Sequence, residues 1–272
     1  GSTLGATGAA LLGLMLPAAT SVSKLSLANN NLFGINQYGH GTYTTEHITK
    51  LCEGLKGSAV TSLNLANNRL SGADRWGPLG PHTYRTEGIT KLCEALKGSA
   101  VTSLGLSDNC IGGYYDVIAD YNDYGHNYSD YSDDNFSEHS NDYEFVANTG
   151  GIIALCEWLK GSSVTSLECA APTPSVRLIV CQRPLPYLRS RFRSRARSLR
   201  DNCLGPEGGA ALAEGLKGNS TLQSLRLSGN SIGGYYNNDV GEFVATTEGI
   251  ISLCEGLKGS AVTSLDLTLN QL

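Results

Sequence analysis

The chain has 272 residues, of which 40% are hydrophobic, and a net charge of −5. That length permits one large domain or two small ones with a substantial core. The acidic balance argues against nucleic acid or anionic lipid as the main partner. The apolar run at 8–19 has no basic residue before it and is too short to cross a bilayer.

In chain order, the first predicted element is a helix within 4–22, a segment that aligns with 204–222. A strand pattern then recurs, as VSKLSLANNNL from Val22, VTSLNLANNRL from Val60, VTSLGLSDNCI from Val101, VTSLE from Val164, LQSLRLSGNSI from Leu222 and VTSLDLTLNQL from Val262. Leucines in these segments alternate with polar residues, which predicts a short strand with one buried face.

A helix pattern such as TEGITKLCEALKG follows each strand pattern but the last. The apolar stripe of that helix is Ile89, Leu92, Cys93 and Leu96. Thr86 is expected to cap its start, and Gly98 to end it in a left-handed conformation. Because no unit can bury its stripe alone, the units are expected to stack.

The pattern L-x-x-L-x-L-x-x-N-x-L, with a full helix in each unit, resembles leucine-rich repeats of the ribonuclease-inhibitor type. Relatives of that type include nucleotide-binding leucine-rich-repeat receptors and the GTPase-activating protein of Ran. The resemblance implies an α/β solenoid, a curved horseshoe with a parallel sheet on its concave side, helices on its convex side and long insertions along one edge. We expect 1–272 to be a single solenoid fragment of a longer protein, because 4–22 matches a unit whose strand is missing.

Two residue types recur at fixed places in the units. The recurring asparagines predict a buried ladder that bonds unpaired backbone groups; they are Asn30, Asn68, Asn109, Asn202, Asn230 and Asn270. The recurring helix cysteines predict small core residues rather than metal ligands or disulfides; they are Cys52, Cys93, Cys156 and Cys254. We therefore expect no metal and no cofactor, and free thiols favour a cytoplasmic location.

An insertion at 169–198 falls inside the fourth strand pattern and is rich in arginine. We expect it to break the strand between two buried leucines and to remove a rung of the stack. Its deletion joins VTSLE to LRDNCLGPEGG and restores a regular unit. One hypothesis is a retained intron, because codons for Glu168, Cys169 and Ser198 permit GT and AG boundaries. The other is a genuine basic loop, expected to be disordered, which could bind RNA or direct nuclear transport.

A further insertion at 112–149 is also expected to be disordered, with a packed stem formed by its two ends. The strand-to-helix loops hold nearly all tyrosines beside Gly, Ser and Asn, which is the composition of antibody paratopes. Binding to a protein and mere tolerance of solvated loops both remain open. The candidate partner-binding residues are Tyr38, Tyr43, Trp76, Tyr84, Tyr114, Tyr115, Tyr235 and Tyr236 in the loops, and Asn64, Arg226 and Asp266 on the concave face.

No nucleophile with a positioned base and no phosphate-binding loop is found in the sequence, so the chain is predicted not to be an enzyme. The leading interpretation is a protein-interaction scaffold, such as the recognition region of a larger intracellular sensor, with a protein partner and no membrane. The alternative is a GTPase-activating protein resembling the Ran activator, in which Arg69, Arg75 or Arg85 would complete the nucleotide site.

Overall fold

The computed structural model describes residues 4–35, 41–72, 84–118, 142–169, 202, 204–237 and 242–272, with the backbone alone described at 114–118, 142–147, 235–237 and 242. The helices are α1 (Gly5–Met15), α2 (Glu46–Lys56), α3 (Glu87–Leu96), α4 (Gly150–Leu159), α5 (Gly205–Leu216) and α6 (Glu248–Leu257). The strands are β1 (Lys24–Ser26), β2 (Ser62–Asn64), β3 (Ser103–Gly105), β4 (Gly113–Ile118), β5 (Asp142–Ala147), β6 (Ser166–Glu168), β7 (Ser224–Arg226), β8 (Gly234–Asn237), β9 (Glu242–Ala245) and β10 (Ser264–Asp266).

Six short strands form one parallel sheet in the order β1-β2-β3-β6-β7-β10. The turns of the chain that contain them are called coils 1 to 6. The central leucine of each strand lies opposite the next one, so that Leu25, Leu63, Leu104, Leu167, Leu225 and Leu265 form a continuous row. This register confirms the predicted stacking of like units, and each coil covers the apolar face of its neighbour.

The helices lie on the other side of this sheet and pack in chain order. In α3 the predicted stripe is buried, with Ile89, Leu92 and Leu96 no more than 2% exposed. Gly98 follows the helix with φ of 79°, as predicted. The predicted cap is wrong in its detail, because the Thr86 side chain makes no capping hydrogen bond. Instead the Thr86 carbonyl accepts the backbone N–H of Thr90 in the first turn.

The asparagines form the predicted ladder through hydrogen bonds between coils. In coil 2 the Asn68 side-chain oxygen accepts the backbone N–H groups of Asn30 and Leu32 in coil 1. Its side-chain amide donates to the carbonyl oxygens of Leu27, at 2.8 Å, and of Leu65, at 3.0 Å. Asn109 repeats this arrangement, and both side chains are fully buried. Each asparagine therefore forms hydrogen bonds with backbone groups of two coils. Without these bonds the buried turns would contain unpaired N–H and C=O groups, which is unfavourable.

Coil 4 corrects the expectation that the insertion interrupts the strand. Strand β6 is intact, and Cys169 is 2% exposed in the place that Leu65 and Leu106 fill in coils 2 and 3. The insertion leaves after Cys169, and the chain is described again at Asn202, which donates to the carbonyl oxygen of Cys169 and keeps its rung of the ladder. The neighbouring rung, formed by Asn230, lacks one of its hydrogen bonds. The buried side-chain oxygen of Asn230 has no hydrogen-bond partner among the described residues, although the corresponding oxygen of Asn68 accepts two N–H groups.

The recurring helix cysteines lie in the core where helices face each other. Cys52, Cys93 and Cys156 are buried, as predicted, whereas Cys254 is exposed because the described residues place no helix on the outer side of α6. Burial raises the pKa of the Cys52 and Cys156 thiols to about 12. These thiols are therefore protonated and unreactive in the folded chain at neutral pH.

Candidate functional site

The loops that follow the sheet strands emerge along one edge, because parallel strands place their carboxyl ends on the same side. Four of these loops are closed at their base by an equivalent backbone bond. The bonds run from Thr44 N–H to Phe33 O, Arg85 N–H to Ser71 O, Asn148 N–H to Gly112 O, and Thr246 N–H to Gly233 O, at 2.7–3.0 Å. We call this surface the loop edge. Its loops differ in length, but each begins and ends at equivalent positions of its coil.

Two of these loops form antiparallel hairpins. Hairpin A pairs β4 with β5, and hairpin B pairs β8 with β9. The two share a register: Tyr114 and Tyr235 lie opposite Val146 and Val244, respectively. Hairpin A corrects the prediction of disorder for 112–149 at both ends of that insertion and agrees with the predicted stem. Residues 119–141 lie outside the described part of the chain, as does 170–201.

Tyr43, a predicted partner-binding residue, is half-buried between coils 1 and 2. Its hydroxyl donates to the Leu70 carbonyl oxygen at 2.7 Å, and its ring stacks on Phe33 with centroids 5.8 Å apart. Burial and the nearby Glu87 carboxylate hold the pKa of Tyr43 well above its usual range. The side chain therefore joins adjacent coils, and only part of its ring is available to a partner.

Tyr84 occupies the same position one coil later. Its hydroxyl donates to the carbonyl oxygen of Ile111, the residue that corresponds to Leu70. In hairpins A and B this position is filled by Ala147 and Ala245, each directly before the loop-closing residue. Tyrosine thus fills this position in coils 1 and 2, and alanine fills it in the two coils that carry hairpins A and B.

The remaining loop candidates divide into two groups. The first is carried by the hairpins, on their outgoing strands: Tyr114, Tyr115, Tyr235 and Tyr236. The second, Tyr38 and Trp76, lies outside the described residues. The structure thus places four of the predicted tyrosines at equivalent positions on the outgoing strands of two hairpins.

The concave face carries a charged group that joins three strands. The Arg226 guanidinium lies 3.1 Å from a Glu168 carboxylate oxygen and 3.6 Å from an Asp266 carboxylate oxygen. Hydrogen bonds from Thr268, aided by Arg226, lower the pKa of Asp266. Glu168 was not among the predicted site residues. Glu168 and Arg226 occupy the same position of the repeat in neighbouring coils, and this is the signal that could have identified Glu168.

Asn64, the third predicted concave residue, lies two strands from this charged group. Its side-chain oxygen accepts the backbone N–H of Ala66 at 2.9 Å. The same oxygen leans over the neighbouring strand, where a Cβ added at Gly105 would lie 3.1 Å from it. Asn64 is exposed but held by its own turn, and it lies apart from Arg226 and Asp266 on the same face.

The arginines of the alternative interpretation lie on the loop edge or outside the described residues. The Arg85 guanidinium lies 5.0 Å above the Tyr43 ring, a cation–π geometry that keeps it against the solenoid. Arg69 has a left-handed backbone, with φ of 60°, and makes an interaction of its own. Arg75 is outside the described residues. The three are not brought together with a nucleotide-binding loop in the part of the chain that the structure describes.

Two further observations bear on the kind of site. In the described ranges no three His, Cys, Asp or Glu side chains converge in a way that could hold a metal ion. No described helix has the length and apolar character needed to cross a membrane.

Comparison with a protein-family model agrees with the geometry. The family model "Leucine Rich repeat" matches 198–213 and 218–234, which include residues 205–213 of α5 and all of β7. The chain folds as an α/β leucine-rich-repeat solenoid. Among solved structures, the leucine-rich repeat-containing protein LegL7 from Legionella pneumophila is similar at 14% identity and a TM-score of 0.33. The match covers 94% of this chain and 61% of the LegL7 chain. No curated protein matches the chain.

Proposed function

We propose that this leucine-rich-repeat chain is a scaffold that binds a protein partner through its loop edge, with the charged group of the concave face as a second contact area. Leucine-rich-repeat proteins in general serve as protein-interaction scaffolds. The observation that carries the proposal is the pair of equivalent hairpins on the loop edge, A and B, which carry a Tyr-Tyr sequence at the same register.

Rigid display is the physical advantage of this arrangement. The bases of the loops are fixed by the closing backbone bonds, and the coils beneath them are joined by the buried asparagine ladder. A partner therefore meets loops whose bases are fixed beforehand, so that less conformational entropy is lost on association. Tyrosine adds a large contact area with few rotatable bonds.

Tyr43 and Tyr84 take a different place in this proposal. Since their hydroxyl groups bond the next coil, they support the loop edge from below. The contact residues of the proposal are Tyr114, Tyr115, Tyr235 and Tyr236, together with Arg226 and Asp266 on the concave face. The finer assignments, a ribonuclease-inhibitor type of repeat, a sensor's recognition region and a cytoplasmic location, stay predictions from the sequence, and so does the alternative of GTPase activation.

Site-specific photo-crosslinking tests the proposal. A benzophenone amino acid is placed at position 114, 115, 235 or 236 in the full chain, and at Glu53 or Glu157 on the convex helices as controls. We expect one protein to be crosslinked from the hairpin positions and not from the control positions. Equal crosslinking from both sets of positions, or none from the hairpins, would contradict it.

The second contact area is tested by Arg226→Ala. The side chain is 39% exposed, and an exposed ion pair contributes less than about 1 kcal/mol to folding. We expect the variant to fold with nearly unchanged stability and to reduce the yield of the same crosslinked protein. An unchanged yield would remove the concave face from the proposal and leave the loop edge.

A further inference from the structure

Asn219 begins the sequence Asn-Ser-Thr, which is the acceptor pattern for N-linked glycosylation. Such an acceptor is expected in a surface loop, because the side-chain nitrogen has to carry a large sugar chain in solvent. In this fold Asn219 lies in the turn between α5 and β7, and its side chain is buried at 4% exposure. The acceptor pattern is therefore carried by an asparagine that the solvent does not reach.

The side-chain oxygen of Asn219 closes this turn. It accepts the backbone N–H of Thr221 at 3.1 Å and that of Leu222 at 2.8 Å, and also the Thr221 hydroxyl at 3.3 Å. Leu222 is fully buried. If the Asn219 side chain turned outward, this buried N–H would be left without a partner, which is unfavourable.

The side-chain nitrogen, which is the atom that carries an N-linked glycan, is directed into the stack. It donates to the carbonyl oxygen of Leu159, the last residue of α4, at 3.4 Å. The backbone oxygen of Asn219 accepts the N–H of Ala261, in the turn between α6 and β10, at 2.9 Å. Asn219 thus bonds the turns on both sides of its own, and a sugar on its nitrogen would have to displace the end of α4.

The corresponding turns after α2, α4 and α6 show why an asparagine is needed here. Each has a serine at this place, whose hydroxyl accepts the N–H of a valine two residues later: Val60, Val164 or Val262. The turn after α5 is one residue longer, since Leu222, which corresponds to these valines, follows Asn219 by three positions. The longer side chain of asparagine spans the extra residue. Asn219 is therefore a structural residue of its turn.

The buried thiols are an independent observation on the same question. Cys52, Cys93 and Cys156 are free and buried at equivalent positions of α2, α3 and α4. Free thiols are typical of reducing compartments, whereas the endoplasmic reticulum, where N-glycosylation takes place, is oxidising. The core of the stack thus fits a compartment that also lacks the glycosylation machinery.

We propose that an N-linked glycan at Asn219 and the stacked fold exclude each other, so that this chain folds only in a compartment without N-glycosylation. The oligosaccharide is transferred to a chain before it has folded. A glycan at Asn219 would keep this side chain in solvent, leave the Leu222 N–H unpaired and separate the turn from α4. This inference does not depend on which surface of the chain binds a partner.

The test compares the full chain made in two compartments of the same cultured mammalian cells. One version has a cleavable signal peptide, and the other has none and stays in the cytosol. Both carry Asn127→Gln and Asn135→Gln, which remove the acceptor patterns outside the described residues, so that a glycan reports on position 219 alone. Gel mobility with and without an N-glycosidase measures the modification, and limited proteolysis measures folding.

Two substitutions at Thr221 are matched. Thr221→Val removes the acceptor pattern and keeps Asn219, whereas Thr221→Ser keeps both. With the signal peptide, the Val variant should be unmodified, resistant to protease and secreted. The chain with Thr221 and the Ser variant should carry a glycan, be sensitive to protease and be secreted at least ten times less. In the cytosol all three should resist protease. Asn219→Asp, which removes the acceptor and keeps the side-chain oxygen, replaces the Val variant if that variant does not fold there.

Three outcomes would overturn the inference. A secreted, protease-resistant chain with a glycan at Asn219 would show that the fold accommodates the modification. A secreted chain with Thr221 and no glycan would show that folding buries Asn219 before the oligosaccharide is transferred. Retention of the Val and Asp variants at the level of the chain with Thr221 would show that another feature prevents folding. The crosslinking experiment on the hairpins tests the proposed function separately from each of these results.

Discussion

The Tyr43 hydroxyl of coil 1 donates a hydrogen bond to the Leu70 carbonyl oxygen of coil 2, 2.7 Å away. Composition alone places this tyrosine with the residues that contact a partner, because Tyr-rich loops are typical of binding surfaces. In the folded chain the hydroxyl joins two coils, and the ring lies between Phe33 and the guanidinium of Arg85. A tyrosine in a loop can thus contribute to stacking more than to recognition.

Substitution at Tyr43 separates the hydroxyl from the ring. Tyr43→Phe should lower the free energy of unfolding by about 1 kcal/mol, since one hydrogen bond to a buried carbonyl is lost. Tyr43→Leu should cost about 1 kcal/mol more, because the stacking on Phe33 and the cation–π contact are lost as well. Urea unfolding measures both. Equal stabilities of the Phe variant and the wild type would show that the bond contributes nothing.

Asn109 lies in the interior of the ladder and Asn30 at its first rung. Asn109→Ala leaves the N–H groups of Asn68 and Leu70 and several carbonyl oxygens without partners in a buried place. We expect a loss of about 3 to 5 kcal/mol in unfolding free energy. Asn30→Ala is the matched control and should cost roughly 1 kcal/mol, because its side chain bonds partly exposed groups. Similar losses at the two positions would contradict the ladder as the cause.

The buried thiols give the stability a dependence on alkaline pH. The pKa of Cys52 is about 12 in the folded chain, and a thiol in an unfolded chain has a pKa of about 8.5. The unfolded state therefore loses its thiol proton first as the pH rises. The contribution of Cys52 to stability is complete below about pH 8.5 and is lost by about 1.4 kcal/mol per pH unit above it, until the folded thiol titrates.

Urea unfolding at pH 8, 9 and 10 measures this slope. Cys52→Ala should make the unfolding free energy fall less steeply with pH, by up to about 1.4 kcal/mol per pH unit, whatever the substitution does to stability at pH 8. Val60→Ala is the control, since it removes buried apolar volume and no thiol, and it should leave the slope unchanged. Identical slopes for the Cys52 variant and the wild type would show that this thiol is not kept protonated by burial.

Deletion of 169–198 should give a chain that folds and is more stable. Leu199 would then take the buried place of Cys169. The loop before Asn202 would shorten from about thirty residues to two, which reduces the entropic free-energy cost of closing the loop by roughly 2 kcal/mol. The deletion should also restore a partner for the side-chain oxygen of Asn230. Thermal and urea unfolding of the two chains test this, and a deletion variant that is less stable or unfolded would contradict it. The transcript across Glu168 and Leu199 decides separately between a retained intron and a basic loop.

The stack of coils can be predicted from the sequence because the leucines and asparagines that form it recur at the same position of each unit. Leu63, Leu104, Leu225 and Leu265 recur with the same neighbours, and a parallel sheet is the arrangement in which like positions lie side by side. Asn68 and Asn109 recur at the point where a turn leaves backbone groups unpaired, so their burial could also be predicted.

Other features could not be predicted because they depend on single contacts between coils. Cys169 fills a leucine position although it begins the insertion, which the repeat pattern does not indicate. The bond from Tyr43 to Leu70 and the group formed by Glu168 and Arg226 depend on which residues of neighbouring coils come into register at the edge and on the face of the sheet. Thr86 has the residue type of a capping residue, but its side chain makes no such bond.

The closing bonds at the base of the loops make the chain a modular carrier for foreign segments. The same bond closes a loop from Ser71 to Arg85, a hairpin from Gly233 to Thr246 and a far longer insertion from Gly112 to Asn148. The strands beneath these loops keep one register although the loops differ in length. A peptide epitope or an enzyme module grafted between Gly233 and Thr246 would therefore be held at its base by the closing bond, and we expect the parallel sheet to keep its register.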